Sequence, residues 1–357
     1  MATVATLPIR PRLTAPMPWY GGKRRWVDSV WSHLVAPDEQ PAVYAEPFAG
    51  SLALLLAAPW VAKREVVCDT DGLICNFWRA LRDDPEAVAY WADWPTIHQD
   101  LTARHRALLE WRREHVMRLS EDADFSDAKM AGWWVWGLSS WIGGGWCIER
   151  DAPNKQMPFV DNRLGGQGVQ VQRDRVPHID HRYGGKGVQV QRGQMPFVHN
   201  SLGGRGVQVQ RTTRPALLEW FRALSERLHR VVVLNRSWES ALTPTVLGDT
   251  STCTNTGPIC IVLDPPYLTA QRHTGLYGSD ADGSSDDVAR ASFEWAVAHG
   301  DRYRIAYFAH EGDFQVPEGW ASETKSFGLR SNRDKQDMVM YSPACARVGD
   351  RQIGLFA

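Results

Sequence analysis

The chain has 357 residues, a formal net charge of −1, 43% hydrophobic and 23% charged residues. That length exceeds one typical domain and can bury a large core, so a core with an insertion is expected. The balanced charge excludes a uniformly basic nucleic-acid coat, and the longest apolar run, Leu52 to Ala62 with Pro59 inside it, is too short to span a bilayer. The six cysteines lack paired metal spacing, which predicts no zinc and reduced thiols in a cytoplasm, and the absence of a charged-then-apolar opening predicts no leader.

In chain order, residues 1–16 read as a flexible arm. Trp19-Tyr20-Gly21-Gly22-Lys23 then joins aromatics, a glycine pair and a cation. Val43-Tyr44-Ala45-Glu46-Pro47-Phe48-Ala49-Gly50-Ser51 reads as a strand, a tight turn and the start of the helix Leu52 to Leu56. An acid at a strand end before a glycine turn suits a nucleotide-like cofactor at the carboxyl edge of a parallel sheet. With Gly50 alone where a dinucleotide fingerprint has three glycines, no phosphate cradle is expected. Val66-Val67-Cys68-Asp69 is a second strand ending in an acid, placed to accept from ribose hydroxyls.

A helical stretch follows. Asp84-Pro85 opens one helix with proline at its first position. Arg104 to Leu119 is a charged amphipathic helix, and Ser126 to Trp141 an aromatic one. Trp133, Trp134, Trp136, Trp141 and Trp146 crowd around Gly143-Gly144-Gly145, and tryptophans at helical spacing are expected mainly in a core.

Between Lys155 and Arg214, ten Lys or Arg stand against three Asp, a local net of +7 that leaves −8 for the remainder. The same segment repeats. Leu164–Arg173 recurs at 183–192 and at 202–211 with a period of 19 residues, sharing Gly-Gly-x-Gly-Val-Gln-Val-Gln-Arg. Each unit reads as a turn followed by a short strand whose Gln and Arg can reach base edges in a duplex groove. Arg163, Arg173, Arg182, Lys186, Arg192, Arg205 and Arg211 are the candidate DNA contacts. A duplicated surface loop without base contacts, or a self-association module, are the alternatives.

The helix Ala216 to Arg230 leads into the strand Val231–Leu234. A further apolar strand, Ile259-Cys260-Ile261-Val262-Leu263, ends in Asp264-Pro265-Pro266-Tyr267. A carboxylate and a proline carbonyl can both accept from one exocyclic amine, and the prolines offer no competing N–H. The tyrosine adds a flat face for an extruded base. The four residues describe a pocket for an aromatic amine.

In this order the segments resemble the Dam-type DNA adenine N6-methyltransferases, phage enzymes included. Trp19 to Lys23 resembles the family's N-terminal motif, and Glu46-Pro47-Phe48-Ala49-Gly50 its S-adenosylmethionine motif. Asp264 to Tyr267 resembles its catalytic tetrad, and Asn332-Arg333 with Asp337 to Pro343 its last core strand. The resemblance covers roughly 17–85 and 215–345. Leu52 departs from it, standing where many members have a second glycine, and so does Ser237-Trp238, where an aspartate is common.

The resemblance implies an α/β fold: a Rossmann-like class I methyltransferase core, 17–85 and 214–357, with a target-recognition insertion at 86–213, helical over 86–150 and repetitive over 155–211. It implies methyl transfer from S-adenosylmethionine to N6 of a flipped adenine in double-stranded DNA. Asp264, Pro265, Pro266 and Tyr267 are then catalytic. Trp19, Tyr20, Gly21, Lys23, Glu46, Pro47, Phe48, Gly50, Asp69 and Asp264 would line the cofactor, and no metal is needed. A monomer is expected, with a dimer as the alternative. A cytosine N4-methyltransferase and a non-catalytic DNA-binding protein on the same fold are the rival functions. Protection of phage DNA, strand marking and partnership with a restriction enzyme stay open as biological roles.

Overall fold

The computed structural model describes residues 12–17, 23–141, 146–148, 214–250, 257–268, 284–326 and 336–345. The chain divides into two compact units: Met1–Ala15, Gly21–Thr70 and Arg230–Ala357 in one, Pro16–Tyr20 and Asp71–His229 in the other. The second unit begins earlier than the sequence boundary at residue 86, because the helix after β2 groups with the helices that follow it.

The first unit is built on seven strands, β1 (Val43–Glu46), β2 (Arg64–Asp69), β3 (Val231–Asn235), β4 (Ile259–Leu263), β5 (Arg304–His310), β6 (Ala321–Ser326) and β7 (Gln336–Tyr341). Their spatial order is β3-β2-β1-β4-β5-β7-β6. The first five run parallel, and β7 returns antiparallel between β5 and β6. All four residues of β1 are buried, as are Cys260 to Leu263 of β4 and Ile305 to Ala309 of β5. Continuous apolar runs of this kind mark strands covered on both faces. From β1 the chain proceeds to β2 and β3 on one side, whereas β4 and β5 lie on the other. That reversal is a topological switch point, the place in open parallel sheets where ligands lie against the carboxyl strand ends. It sets the ends of β1 and β4 side by side, with Ala45 opposite Ile261.

A 3-10 turn, Lys23–Trp26, leads into α1 (Val27–Leu34), whose Trp31 donates to the Leu54 carbonyl. The expected flexibility over 1–16 does not extend through its last residues. The Leu13 N–H donates to the Leu56 carbonyl, Arg12 pairs with Asp28, and Pro16 is buried. The departure at Leu52 has a definite form. Leu52 precedes the one-turn α2 (Ala53–Leu56) with φ +52°, so the left-handed geometry a glycine would adopt freely is kept by a leucine. Its side chain is fully buried, which offsets the backbone strain.

The second unit is helical: α3 (Gly72–Asp83), α4 (Pro85–Ala92), α5 (His98–Glu121), α6 (Ala128–Ser140) and α7 (Arg214–Leu228). Asp71, Asp84 and Asp127 cap α3, α4 and α6 by accepting from the N–H groups of Leu73, Ala87 and Met130. The expected helix from Arg104 begins earlier, at His98, because nothing after Pro95 interrupts the pattern. The aromatic helix is shorter by two residues at its start, where Asp127 is spent as its cap. Trp134, Trp136 and Trp146 are core, as expected. Gly132 and Gly137 allow that packing: a Cβ would lie 2.4 Å from the Trp91 Cβ at the first and 1.8 Å from the Trp146 ring at the second. Arg79, 1% exposed, sends one guanidinium nitrogen to the carbonyls of Leu119, Asp122 and Phe125, satisfying the end of α5. The sheet unit also holds α8 (Pro244–Leu247) and α9 (Ser284–His299).

Candidate active site

The site grows from the carboxyl ends of β4, β1 and β2. At the end of β4, apolar burial stops at Leu263 and the chain turns out through Asp264 to Tyr267, with Pro265 still buried. The Lys23 ammonium lies 2.8 Å from Asp264 Oδ1 and is itself 7% exposed against 25% for the carboxylate. Its charge also lies 5.0 Å from the ring centroids of Tyr267 and of Phe308. A cation with a carboxylate at one side and two π faces at the others is fully compensated in a low-dielectric site. Burial raises the Asp264 carboxyl above its ordinary pKa, while Lys23 and a hydrogen bond with Tyr267 pull the other way.

At the end of β1, Glu46 is 5% exposed and accepts from the Tyr44 hydroxyl at 2.8 Å. The turn after it is tight: Gly50 has φ +44°, and its N–H donates to Asp69 Oδ2 at the end of β2, 3.1 Å away. The Ala49 N–H donates to the Cys68 carbonyl at 2.8 Å, binding turn to strand. Asn235, ending β3, donates through its side chain to the Asp69 carbonyl at 3.0 Å. Trp238, at the second departure from the family pattern, is 7% exposed and stacks on Phe48 at 6.3 Å. Where an acid is common, this chain has an apolar wall.

The structure therefore places Lys23, Asp264 and Tyr267 in one cluster, and Glu46, Phe48, Gly50 and Asp69 on neighbouring strand ends and the turn between them. Pro47 and Pro266 lie in the same two segments. Trp19, Tyr20 and Gly21 lie outside the described residues, as do Arg163, Arg173, Arg182, Lys186, Arg192, Arg205 and Arg211. Two residues without a site role in the sequence reading, His310 and Asp337, the second already part of the last-strand segment, complete the β4 side. The His310 ring lies edge to face with Tyr267 at 4.4 Å, and its Nε2 is 3.7 Å from Asp337 Oδ1. The available signal was a histidine and an acid at the ends of otherwise apolar strands. Among the described residues no group of His, Cys, Asp and Glu could hold a metal ion, and no helix is long and apolar enough to cross a membrane. Cys68, Cys75, Cys147, Cys260 and Cys345 are buried free thiols.

No curated protein matches the chain. The family profile of the D12 class N6 adenine-specific DNA methyltransferases matches residues 19–122, which hold Lys23, the β1 turn and the β2 acid. The Asp-Pro-Pro-Tyr tetrad lies beyond that match, at the end of the strand beside β1. Profile, sheet order and tetrad agree in their likeness: the chain is similar to the D12 class of N6 adenine-specific DNA methyltransferases, whose members use S-adenosylmethionine.

Proposed function

We propose that Asp264 to Tyr267 receive the target adenine, flipped out of duplex DNA, beside a cofactor held by the β1 and β2 ends. The Lys23–Asp264–Tyr267 cluster carries this reading: a carboxylate, a proline carbonyl and an aromatic face share one strand end. The edge chemistry fits S-adenosylmethionine. Asp69 offers carboxylate acceptors to a ribose diol, Glu46 is an acid at the switch point, and Phe48 and Trp238 supply apolar ring surface. Trp19, Tyr20, Gly21 and Pro47 complete the proposed cofactor set from the neighbouring sequence. S-adenosylmethionine held there would supply a methyl group on a sulfonium sulfur, with a neutral thioether as the leaving group.

The chain's own residues do the rest. Asp264 and the Pro265 carbonyl accept the N6 hydrogens and keep the nitrogen lone pair on the methyl side, and Asp264 is placed to take the proton the methylated amine loses. Lys23 steadies the carboxylate and opposes the upward pull of burial on its pKa. Tyr267 stacks on the base; such stacking is worth roughly 1–3 kcal/mol, against a flipping penalty of a few. Rate comes mainly from holding two reactants in near-attack geometry.

Residues 86–213 are proposed to recognise the target, with Arg163, Arg173, Arg182, Lys186, Arg192, Arg205 and Arg211 meeting phosphates and base edges. The basic excess of 155–214 supports this. A monomer acting in the cytoplasm is the simplest arrangement.

The test is methyl transfer from labelled S-adenosylmethionine to unmethylated duplex DNA, with nucleoside analysis, for the wild type and Asp264→Ala. N6-methyladenine from the first and none from the second is the expected result. Full turnover by Asp264→Ala removes the tetrad from the chemistry. Deleting residues 174–192 takes out one repeat; altered site preference supports recognition, and a changed oligomeric state with unchanged preference overturns it.

A further inference from the structure

We infer that His310 and Asp337 form a positioning pair for Tyr267, fixing the ring on which the target base stacks. This rests on the site reading above and deepens it. His310 ends β5 and stands directly opposite Asp337 on β7, so both side chains leave the same face of the sheet. Their side chains are only 14% and 16% exposed, and Nε2 and Oδ1 are 3.7 Å apart, an ion-pair distance too long for a hydrogen bond. The imidazole in turn meets Tyr267 at 74° and 4.4 Å. Tyr267 thus has the Lys23 ammonium over its ring and an imidazole at an angle to it. An aromatic so bracketed has one orientation. The antiparallel β7, rather than the tetrad itself, supplies the anchor.

The charged groups around the pair come from every neighbouring element. Lys23 favours the Asp337 carboxylate, Asp264 opposes it, and burial pushes the Asp337 carboxyl up to about 6. Lys325 of β6 is the other register neighbour of Asp337, but its ammonium lies over the Trp26 ring and donates to the Arg25 carbonyl. Asp313 accepts from the His310 backbone N–H. An anionic Asp337 attracts the electropositive N–H edge of the His310 ring and so holds that ring at an angle to the tyrosine π face. Protonating Asp337 removes that attraction.

The experiment is the pH profile of kcat for wild type, Asp337→Asn, Asp337→Glu and His310→Gln, with S-adenosylmethionine affinity measured in parallel. Wild-type kcat should fall as pH drops through about 6. Asp337→Asn should lose that acid limb and run roughly tenfold to a hundredfold slower at pH 8, the scale of a mispositioned reactant, at unchanged cofactor affinity. Asp337→Glu should restore the limb. His310→Gln should match the asparagine variant in rate, and 2-aminopurine at the mapped target base should fluoresce more brightly in both, because stacking is loosened. Wild-type kcat in Asp337→Asn, or a slower enzyme with its acid limb intact, overturns the inference. If Asp337→Asn does not fold, wild-type rate and fluorescence in His310→Gln do the same. Asp264→Ala separates the two readings: an active Asp264→Ala removes the site itself, whereas an inactive one beside wild-type-like pair variants removes only the pair.

Discussion

The two units bury cations in different company. In the sheet unit, Lys23 is held by a carboxylate and two aromatic rings at a strand end. In the helical unit, Arg79 is held by three backbone carbonyls, and Arg104 lies over the rings of Trp136, Trp133 and Trp94 at 4.2, 5.1 and 5.7 Å. Carbonyls and indoles cannot change protonation state, so they fix a shape. A carboxylate can, so the Lys23 pair can take part in proton chemistry. Burial of a charge does not mark a site; the chemistry of its partners does.

The sharpest way to break this comparison is to remove each cation. Arg79→Met should lose roughly 3–5 kcal/mol of stability, because it strands buried carbonyls at the end of α5. Urea unfolding measures it, and a loss below about 1 kcal/mol would contradict the capping role. Lys23→Met should instead slow transfer about a hundredfold, roughly 3 kcal/mol in the barrier, through misplacement of Asp264. It also removes the charge that most favours the Asp337 carboxylate, so the acid limb near pH 6 should move to higher pH. An unchanged profile would show that Lys23 only fills space.

Smaller effects sharpen the contrast. The Asp337 carboxyl, raised from 3.8 to about 6 by folding, keeps its proton longer in the folded protein than in the unfolded chain. Ionising it therefore destabilises the fold, increasingly as pH rises from about 4 to about 6 and fully above that. Asp337→Asn should be relatively more stable than wild type at pH 7 than at pH 4, by roughly 2–3 kcal/mol. Melting curves at the two pH values test the sign. Leu52→Gly should lose about 1 kcal/mol, the balance between some 1.5–3 of burial and 1–2 of left-handed strain. A larger loss would mean that the turn barely strains the leucine. Last, the Cys68 thiol, raised to about 12 by burial, should resist alkylation at pH 8 until the protein unfolds.

The parallel sheet was legible because its strands are unbroken apolar runs ending in acids, Glu46, Asp69 and Asp264 among them. The Lys23 contact was legible only as a family motif: nothing local in a glycine-flanked lysine says that it meets a carboxylate more than two hundred residues away. The pairing of His310 with Asp337 was missed for the same reason. Each is one polar residue at a strand end, and only the antiparallel register of β5 and β7 makes them a pair. Helix starts suffered from caps, since Asp127 looks like part of the helix it terminates.

The place of β4 has a kinetic consequence. Its partner β1 is made early, yet Val43 must wait for Ile259 before the central ladder closes. Such distant pairings carry a large loop-closure entropy and form slowly. Because the tetrad is the tail of that strand, an emerging chain acquires the proposed catalytic edge only after most of its length has been synthesised. Methylating competence and completion of the sheet should therefore appear together during refolding, with no partly folded species that transfers methyl groups.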